Sequence, residues 1–386
     1  MMDYNTIIND DCLHAMQGLE DNTIDSIVTD PPYGLSFMGK DWDHGIPGVV
    51  FWQEALRIAK PGCHLLAFGG TRAFHRLAVA IEDAGWDIRD TLMWVYGSGF
   101  PKSHNLKGEW QGYGTALKPA WEPVIVARKP LEGTVANNVL KWGTGAINID
   151  GCRVGIDTIK HSQDHKSFQK WKEQDGRTHK EVENPNPTFY QGRFPANLIH
   201  DGSDEVVGGF PNVKAGVAIR HRSGGKNCHS DINKPPMDDM GYGDSGSASR
   251  FFYCAKASKS ERNMGCEGLE ERKRDASRHV GQPSMNGGDG NPYNRGAKPL
   301  ANNHPTVKPL ALMRYLCRLV TPPDGVVLDP FCGSGSTLVG ALQEGFRYIG
   351  IEKDPDYVNI AYARTKHALK EWGRKSRQQV LQEVVS

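Results

Sequence analysis

The chain has almost no net charge, no paired-cysteine motif and no long apolar run, and each shortage narrows what it does. Its 46 Lys and Arg against 45 Asp and Glu leave a formal charge of +1, so the overall balance names no partner. A nucleic-acid surface would have to be a local basic face. The eight cysteines (12, 63, 152, 228, 254, 266, 317 and 332) include no Cys-x-x-Cys pair. With no leader pattern at Met1-Met2-Asp3-Tyr4, the expectation is a reducing, cytoplasmic setting. No stretch approaches the roughly 18 to 20 apolar residues that span a bilayer, so a soluble protein without a membrane partner is expected. No Gly-Lys-Ser/Thr occurs, which excludes a P-loop.

What is present is length and alternation. At 386 residues the chain accommodates one large α/β domain and an inserted or second domain, with a core that needs no disulfides. The periodicity predicts a helix over Asp11 to Leu19, a strand over Ile24 to Thr29, and a helix over Val49 to Ile58 stopped by Lys60-Pro61-Gly62. A buried strand at His64 to Phe68, a helix at Ala73 to Ala84, and strands at Thr91 to Tyr96 and Pro123 to Ala127 follow. From about Gly97 to Asn303, Gly, Pro, Asn and Ser punctuate the chain. Strand-like islands remain at 146–149, 196–199 and 250–253, with loops expected around 160–187 and 276–300. Order returns with a helix over Leu310 to Val320, a strand over Gly325 to Asp329, a helix over Thr337 to Glu344, a strand over Arg347 to Glu352 and a helix over Pro355 to Lys370. Alternation of this kind implies an α/β fold with a doubly wound, mostly parallel sheet, its two halves drawn from the two ends of the chain.

The later half carries Val326-Val327-Leu328-Asp329-Pro330-Phe331-Cys332-Gly333-Ser334-Gly335-Ser336-Thr337. A buried strand enters a Gly-rich turn and then a helix, and glycine lets backbone approach a ligand where a Cβ would collide. The next strand ends at Glu352, placed to accept hydrogen bonds from ribose hydroxyls. A dinucleotide fingerprint wants a third small residue, and Leu338 stands there instead, which argues against an oxidoreductase. An acidic residue and Pro-Phe ahead of the glycines suit a cofactor with a positive amino or sulfonium group and no pyrophosphate. The favoured cofactor is S-adenosylmethionine.

At the other end, Asp30-Pro31-Pro32-Tyr33 closes a strand that the prolines cannot extend. An exocyclic base amine is a poor nucleophile because its lone pair is delocalised into the ring. A carboxylate and a backbone carbonyl that accept its two N–H bonds pull the nitrogen toward tetrahedral geometry. Asp30 and the Pro31 carbonyl supply such acceptors, and Tyr33 supplies a face on which a rotated base can stack. If the strands before Asp30 and after Gly325 are neighbours where strand order reverses, cofactor and target share one crevice.

These residues resemble the DNA N6-adenine/N4-cytosine methyltransferases of the permuted β class, in which the catalytic motif precedes target recognition and the cofactor motif comes last. The resemblance covers about 5–130 and 300–370 and rests on Thr29 to Gly34, on His304-Pro305-Thr306-Val307-Lys308-Pro309 and on Asp329 to Gly335. It implies a Rossmann-like, circularly permuted methyltransferase fold, with 1–130 as the catalytic half and 131–303 as an irregular target-recognition insert. The cofactor half would be 304–372, followed by a tail at 373–386. Asp30, Pro31, Pro32 and Tyr33 would hold the target. Phe331, Gly333, Ser334 and Gly335 would line S-adenosylmethionine, with Asp329 near its methionine end and Glu352 on the ribose. Asp11 would lie near the adenine ring, although a helix cap explains it equally well. Thr306 and Lys308 would meet the methionine carboxylate.

Double-stranded DNA is the implied partner of a monomer or homodimer, and Asp at the first catalytic position favours N6 of adenine over N4 of cytosine. Phe37 to Asp43 reads either as a loop closing on the flipped nucleotide, with Lys40 near phosphate, or as a surface loop with Trp42 packed. In the insert, Arg220, Arg222, Lys226, Lys256, Lys259, Arg272, Lys273 and Arg274 are phosphate candidates or solvated charges. Cys228-His229 lacks further ligands at metal spacing, so no metal is expected. Other classes considered are an RNA or protein-glutamine methylase, which carries related Asn-Pro-Pro-Tyr turns, and a catalytically silent DNA-binding module.

Overall fold

The computed structural model describes residues 4–34, 45–99, 103–161, 188–214, 245–256, 258, 260–272 and 300–385. The chain opens with β1 (Thr6–Asn9) and a short helix α1 (Cys12–Gln17), which Asp11 caps by accepting the Leu13 amide on its Oδ1 at 3.0 Å. Then come β2 (Ile24–Thr29), α2 (Val49–Ile58), β3 (Ala59–Phe68), α3 (Phe74–Asp83), β4 (Asp87–Val95) and β5 (Trp121–Arg128). The middle of the chain adds α4 (Val135–Trp142), β6 (Val154–His161), β7 (Thr188–Arg193), β8 (Leu198–His200), α5 (Asp204–Gly208), β9 (Asn212–Lys214), β10 (Ser245–Ser247) and β11 (Tyr253–Cys254). The last part is α6 (Leu310–Val320), β12 (Val326–Asp329), α7 (Ser336–Gln343), β13 (Arg347–Glu352) and α8 (Pro355–Val385). No helix among the described residues is long and apolar enough to cross a membrane.

Among the described residues, nine strands form one sheet in the order β1-β13-β12-β2-β3-β5-β4-β8-β11. Every neighbouring pair is parallel except those involving β5, which runs against both β3 and β4. Successive strand residues point to opposite faces, and the two cores follow that alternation. Val28, Leu66 and Val327 face a core shared with Leu312, Met313 and Leu316 of α6 and with Leu338 and Val339 of α7. Ile27, Leu65 and Leu328 face the other core, with Phe51, Trp52, Ala55 and Ile58 of α2 and with Leu77 and Ile81 of α3. Helices thus cover both faces, as expected of a doubly wound sheet. After β2 the chain passes through α2 to β3 on one side, and after β12 it passes through α7 to β13 on the other. The reversal point therefore lies between β2 and β12, at their carboxyl ends.

Two local expectations change. The strand expected at His64 starts five residues earlier, directly after α2, and runs through Pro61-Gly62. The ladder with β2 absorbs the extra length between the Ile24–Ala59 and Ser26–His64 pairs, where Gly62 takes φ +78°. The Pro61 carbonyl, lost to the ladder, accepts from Asn138 Nδ2 at 2.9 Å and Thr144 Oγ1 at 2.6 Å. Secondly, the middle of the chain is more ordered than its composition suggests. β8 pairs with β4 and β11 with β8, so segments 198–200 and 253–254 widen the main sheet. Residues 146–149, expected as a strand, instead lead into a 3-10 turn at Asp150–Cys152, with the Asn148 amide donating to the Leu319 carbonyl of α6. The loops expected around 160–187 and 276–300 fall largely outside the described residues.

A Cβ on Gly62 would lie 2.4 Å from Asn138 Nδ2 and 2.9 Å from the Gly145 Cα, in a backbone conformation that L residues adopt at a cost of roughly 1–2 kcal/mol. Gly62→Ala is expected to lower unfolding stability by about 2 kcal/mol or more, read as a drop in the urea midpoint at unchanged slope.

Candidate active site

The reversal point is stitched at its open end by side chains. Thr29 Oγ1, on the last residue of β2, donates to Asp329 Oδ1, on the last residue of β12, at 2.7 Å. Residues 300 apart in sequence thereby bring the Asp-Pro-Pro-Tyr turn and the glycine turn to one place. A cavity of about 260 Å³ opens there, lined by both segments, including Asp30, Pro32, Asp329, Phe331, Gly333 and Glu352.

On the β2 side, Asp30 is held in a cluster of four polar groups. Tyr33 Oη donates to Asp30 Oδ1 at 2.7 Å, and Lys308 Nζ lies 2.9 Å from Asp30 Oδ2. The same ammonium lies 2.9 Å from Glu122 Oε2 of β5 and donates to Tyr33 Oη at 3.2 Å. Its Nζ also sits 4.6 Å from the centre of the Phe68 ring. Burial opposes the charge on Lys308, but Asp30 and Glu122 outweigh it and hold its pKa above the usual lysine range. Burial and the two carboxylates push the Tyr33 hydroxyl well up, so it stays a donor. The arrangement fixes the Asp30 carboxylate in orientation while each oxygen keeps a lone pair for a further N–H.

On the β12 side, Asp329 is buried and accepts from the Thr29 hydroxyl and, at 3.2 Å, from the Phe331 amide. Burial pushes its pKa up to about 7, with hydrogen bonds from Thr337 and Thr29 acting the other way. Glu352 accepts the Gly333 amide on Oε2 at 2.9 Å and the Asp354 amide on Oε1 at 2.8 Å, which ties the end of β13 to the glycine turn. Gly333 has φ +49°, and a Cβ there would come within 2.6 Å of His304 Nε2. His304 is buried, with its Nδ1 2.9 Å from the Thr306 carbonyl. Because a carbonyl only accepts, Nδ1 carries the proton; burial lowers the ring pKa to about 4, so it is neutral.

The expected residues separate into groups. Asp11, Asp30, Thr306, Lys308, Asp329, Phe331, Gly333, Ser334 and Glu352 all line the one cavity. Pro31, Tyr33 and Gly335 do not. Gly335 takes φ +75° as the cap of α7, and a Cβ there would lie only 3.0 Å from the Ala361 Cβ of α8. It shapes the turn from behind. Asp11 is a helix cap, as the simpler reading had it, and also stands beside Lys353 at the cavity rim, 3.7 Å from its Nζ. Among the insert cations, Arg272 is ion-paired with Asp356 and Glu270, and Lys256 is exposed. Lys40, Trp42, Arg220, Arg222, Lys226, Lys259, Lys273, Arg274 and Cys228-His229 lie outside the described residues.

Sequence reasoning missed Glu122, Arg364 and Tyr357. Arg364 of α8 is buried behind the glycine turn and donates to the Ser334 carbonyl at 2.6 Å and to Ser336 Oγ at 3.0 Å. Desolvation lowers its pKa to about 10, so it remains charged at neutral pH. Tyr357 meets His304 edge to face at 4.5 Å and lines the cavity. Arg364 and Tyr357 sit in a helix whose sequence looks solvent-facing. The one available signal for Glu122 was a charged residue at the start of an apolar strand.

Two turns meet at one reversal point of an α/β sheet, one presenting a carboxylate and the other glycine backbone, and both line one cavity. Residues 24–363 match the DNA methylase family, so the chain belongs to it and is a DNA methyltransferase of the N6/N4 class. The Type II methyltransferase M.HindIII of Haemophilus influenzae is 22% identical over 419 aligned positions, covering 93% of this chain and 94% of that one. M.Cfr9I of Citrobacter freundii is 43% identical over 72 residues, which is 19% of this chain and 24% of its own. Among solved structures, the cytosine-N4-specific PvuII DNA methyltransferase is 13% identical with a TM-score of 0.43, covering 97% of this chain and 93% of that chain. The M1.HpyAVI–SAM complex is 14% identical with a TM-score of 0.41, covering 93% and 98%.

The raised pKa of Asp329 has a sign that stability measurements can read. An acid whose folded pKa lies above its unfolded one contributes stability at low pH that is lost as pH rises through the folded value. Relative to Asp329→Asn, the cofactor-free wild type is expected to lose thermal stability between pH 3.8 and about 7 and to level off above. Parallel melting curves of the two proteins across that range check it.

Proposed function

We propose that this methylase transfers the methyl group of S-adenosylmethionine to N6 of an adenine rotated out of double-stranded DNA, with Asp30 as the residue that meets the amine. The observation that carries the reading is the Thr29–Asp329 hydrogen bond, which puts a carboxylate turn and a glycine cradle on one cavity. The cavity wall suits the donor. Asp11, Asp329 and Glu352 offer carboxylates to a ligand with a sulfonium, an ammonium and a ribose diol. Gly333, with no Cβ, lets the buried His304 ring pack against the turn that lines this wall. Bound there, S-adenosylmethionine supplies a methyl group already activated by its cationic sulfur, and no metal is needed to polarise it.

The chain's own residues would then act as follows. Glu352 faces the ribose and Asp11 the adenine end, while Asp329, Thr306 and Lys308 face the methionine end, with Phe331, Gly333 and Ser334 along the wall. Gly335 acts indirectly, through the turn. Asp30 and the Pro31 carbonyl accept the two amine N–H bonds, Pro32 stiffens the turn, and Tyr33 and Lys308 hold Asp30 in place. Asp30 and Glu122 against one ammonium leave a formal charge of −1 beside a nitrogen that becomes positive, a preorganised field of the favourable sign. A carboxylate at this position, rather than a hydroxyl, supports adenine.

The test is methyl transfer from labelled S-adenosylmethionine to unmethylated DNA, followed by nucleoside digestion and mass spectrometry. N6-methyladenine is expected, and N4-methylcytosine would replace the base assignment while leaving the reaction. Asp30→Ala should retain cofactor binding and lose about a hundredfold to a thousandfold in kcat, since removing one group that contacts the reacting centre costs roughly 10²–10³. Undiminished transfer by that variant would sink the mechanism. Glu122 acts through Lys308 and Asp30, so it is a positioning residue. Glu122→Gln is expected to lower kcat about tenfold at unchanged KM for DNA, with Glu122→Asp recovering part of the loss.

A further inference from the structure

Between β4 and β5, residues 103–118 form a hairpin held together by its own hydrogen bonds. β4 is parallel to β2, because both β4 and β3 run against β5 and β3 is parallel to β2. The β4–β5 connection therefore emerges at the same edge as Asp30. Its foot is the site itself: the Tyr96 amide donates to the Ala120 carbonyl at 2.9 Å, two residues before Glu122. Above it the two legs cross so closely that a Cβ on Gly99 would lie 1.7 Å from the Pro119 carbonyl oxygen. Higher still, Ser103 Oγ accepts the Thr115 amide at 2.9 Å, Asn105 bridges to Gly114, and the Leu106 amide donates to the Tyr113 carbonyl at 2.9 Å. A 3-10 turn at Gly108–Trp110 makes the tip.

The tip carries two aromatic rings in solvent. Trp110 is 59% exposed and Tyr113 62%, and they brace each other edge to face at 5.4 Å. Among the described residues the hydrogen bonds of 104–115 stay within the hairpin, and both rings remain open to solvent. Apolar area of this kind costs free energy in water unless something covers it. Lys107 and Lys118 flank the pair with no acidic partner among the described residues. The tip exposes Trp110 and Tyr113 with Lys107 and Glu109 beside them and Lys118 on the returning leg, and it is rooted beside the Asp30 carboxylate. Two cations against one anion and an open indole face suit a nucleic acid in charge and in stacking.

We infer that the 103–117 hairpin is a DNA wedge: Trp110, braced by Tyr113, stacks on the bases beside the target and occupies the gap left when the target base rotates out. The inference rests on the reading of the protein as a base-flipping DNA methylase. A wedge compensates lost stacking inside the duplex, so its worth depends on whether the target is still paired. This makes it separable from a simple phosphate contact, which would help every duplex alike.

The test compares wild type with a Trp110→Ala, Tyr113→Ala double variant on two duplexes. One carries a normally paired target site and the other an abasic position opposite the target. With the wedge, the variant loses about tenfold or more in kcat/KM on the paired duplex and stays within about threefold of wild type on the abasic one. Both rings are exposed, so melting temperature and S-adenosylmethionine binding should be unchanged. Equal losses on the two duplexes, or no loss on the paired one, overturns the wedge. If the wild type methylates neither duplex, the functional reading falls, and the wedge is judged by electrophoretic-shift affinity. A wild-type advantage confined to the paired duplex supports it, and identical affinities of both proteins overturn it. A variant that binds DNA normally but loses a dimer seen by light scattering assigns the rings to a contact between copies, which also overturns it.

Discussion

The pairing of β2 with β12 is the constraint on which the rest of the molecule depends, because it joins segments from opposite ends of the chain. Main-chain pairing between them is short, covering Val327 with Ser26 and Leu328 with Ile27. Side chains extend it at both ends. Near the start of the strands, Asp25 Oδ2 accepts the Val326 amide at 2.8 Å, and Lys60 Nζ lies 2.6 Å from Asp25 Oδ1. Ser26 and Thr321 share a buried hydroxyl bond, and Thr29 closes the carboxyl end on Asp329. Apart from the partly exposed Lys60, each of these groups is shielded from water, so leaving one unpaired would cost about 1–3 kcal/mol. The seam is thus specified by polar satisfaction as well as by the apolar residues on its two faces, and the cavity lies directly above it.

The ion cluster above the seam is held to a similar standard. Lys308 is almost wholly buried, and a lone ammonium there would lose its proton or its place. Two carboxylates and the Phe68 ring make the charged form the stable one. That arrangement ties three parts of the chain together: the turn after β2, the antiparallel strand β5, and the segment leading into α6. It also explains why the antiparallel β5 matters to a site whose other strands are parallel. β5 brings Glu122 to the carboxyl edge with its first residues, where the parallel strands place theirs last. The aromatic hairpin is rooted at the same point, so the catalytic cluster and the outermost feature of this edge share a foundation.

Much of the fold is legible in the sequence. The helix at Val49–Ile58 and the strands at Ile24–Thr29 and Arg347–Glu352 coincide with their expected bounds, because periodicity and turn residues there agree. The early start of β3 was not legible. Pro61-Gly62 reads locally as a stop, and it is tolerated only because Asn138 and Thr144 take the carbonyl that the ladder gives up. The strand-like island at 196–199 overlaps β8, while that at 250–253 begins on a 3-10 turn (Ala248–Phe251) and touches β11 only at Tyr253. Strands this short carry no signal for their partners, so their place in the sheet depends on what lies beside them. Gly335 shows the same limit in the site: its motif position suggested a ligand contact, whereas its neighbour is Ala361.

The sequence by itself determined the chemistry on offer. Asp30-Pro31-Pro32-Tyr33 and Asp329 to Gly335 are local statements, since prolines, glycines and strand ends act within a few residues of themselves. Tertiary structure alone decided which groups those motifs meet. Glu122, Arg364 and the Trp110–Tyr113 pair owe their places to strand order, helix packing and the direction of β5, which no local pattern encodes. The physical reason is distance along the chain. A buried charge is stabilised by whatever the fold sets within about 3–4 Å of it, and for Lys308 those partners are 278 and 186 residues away.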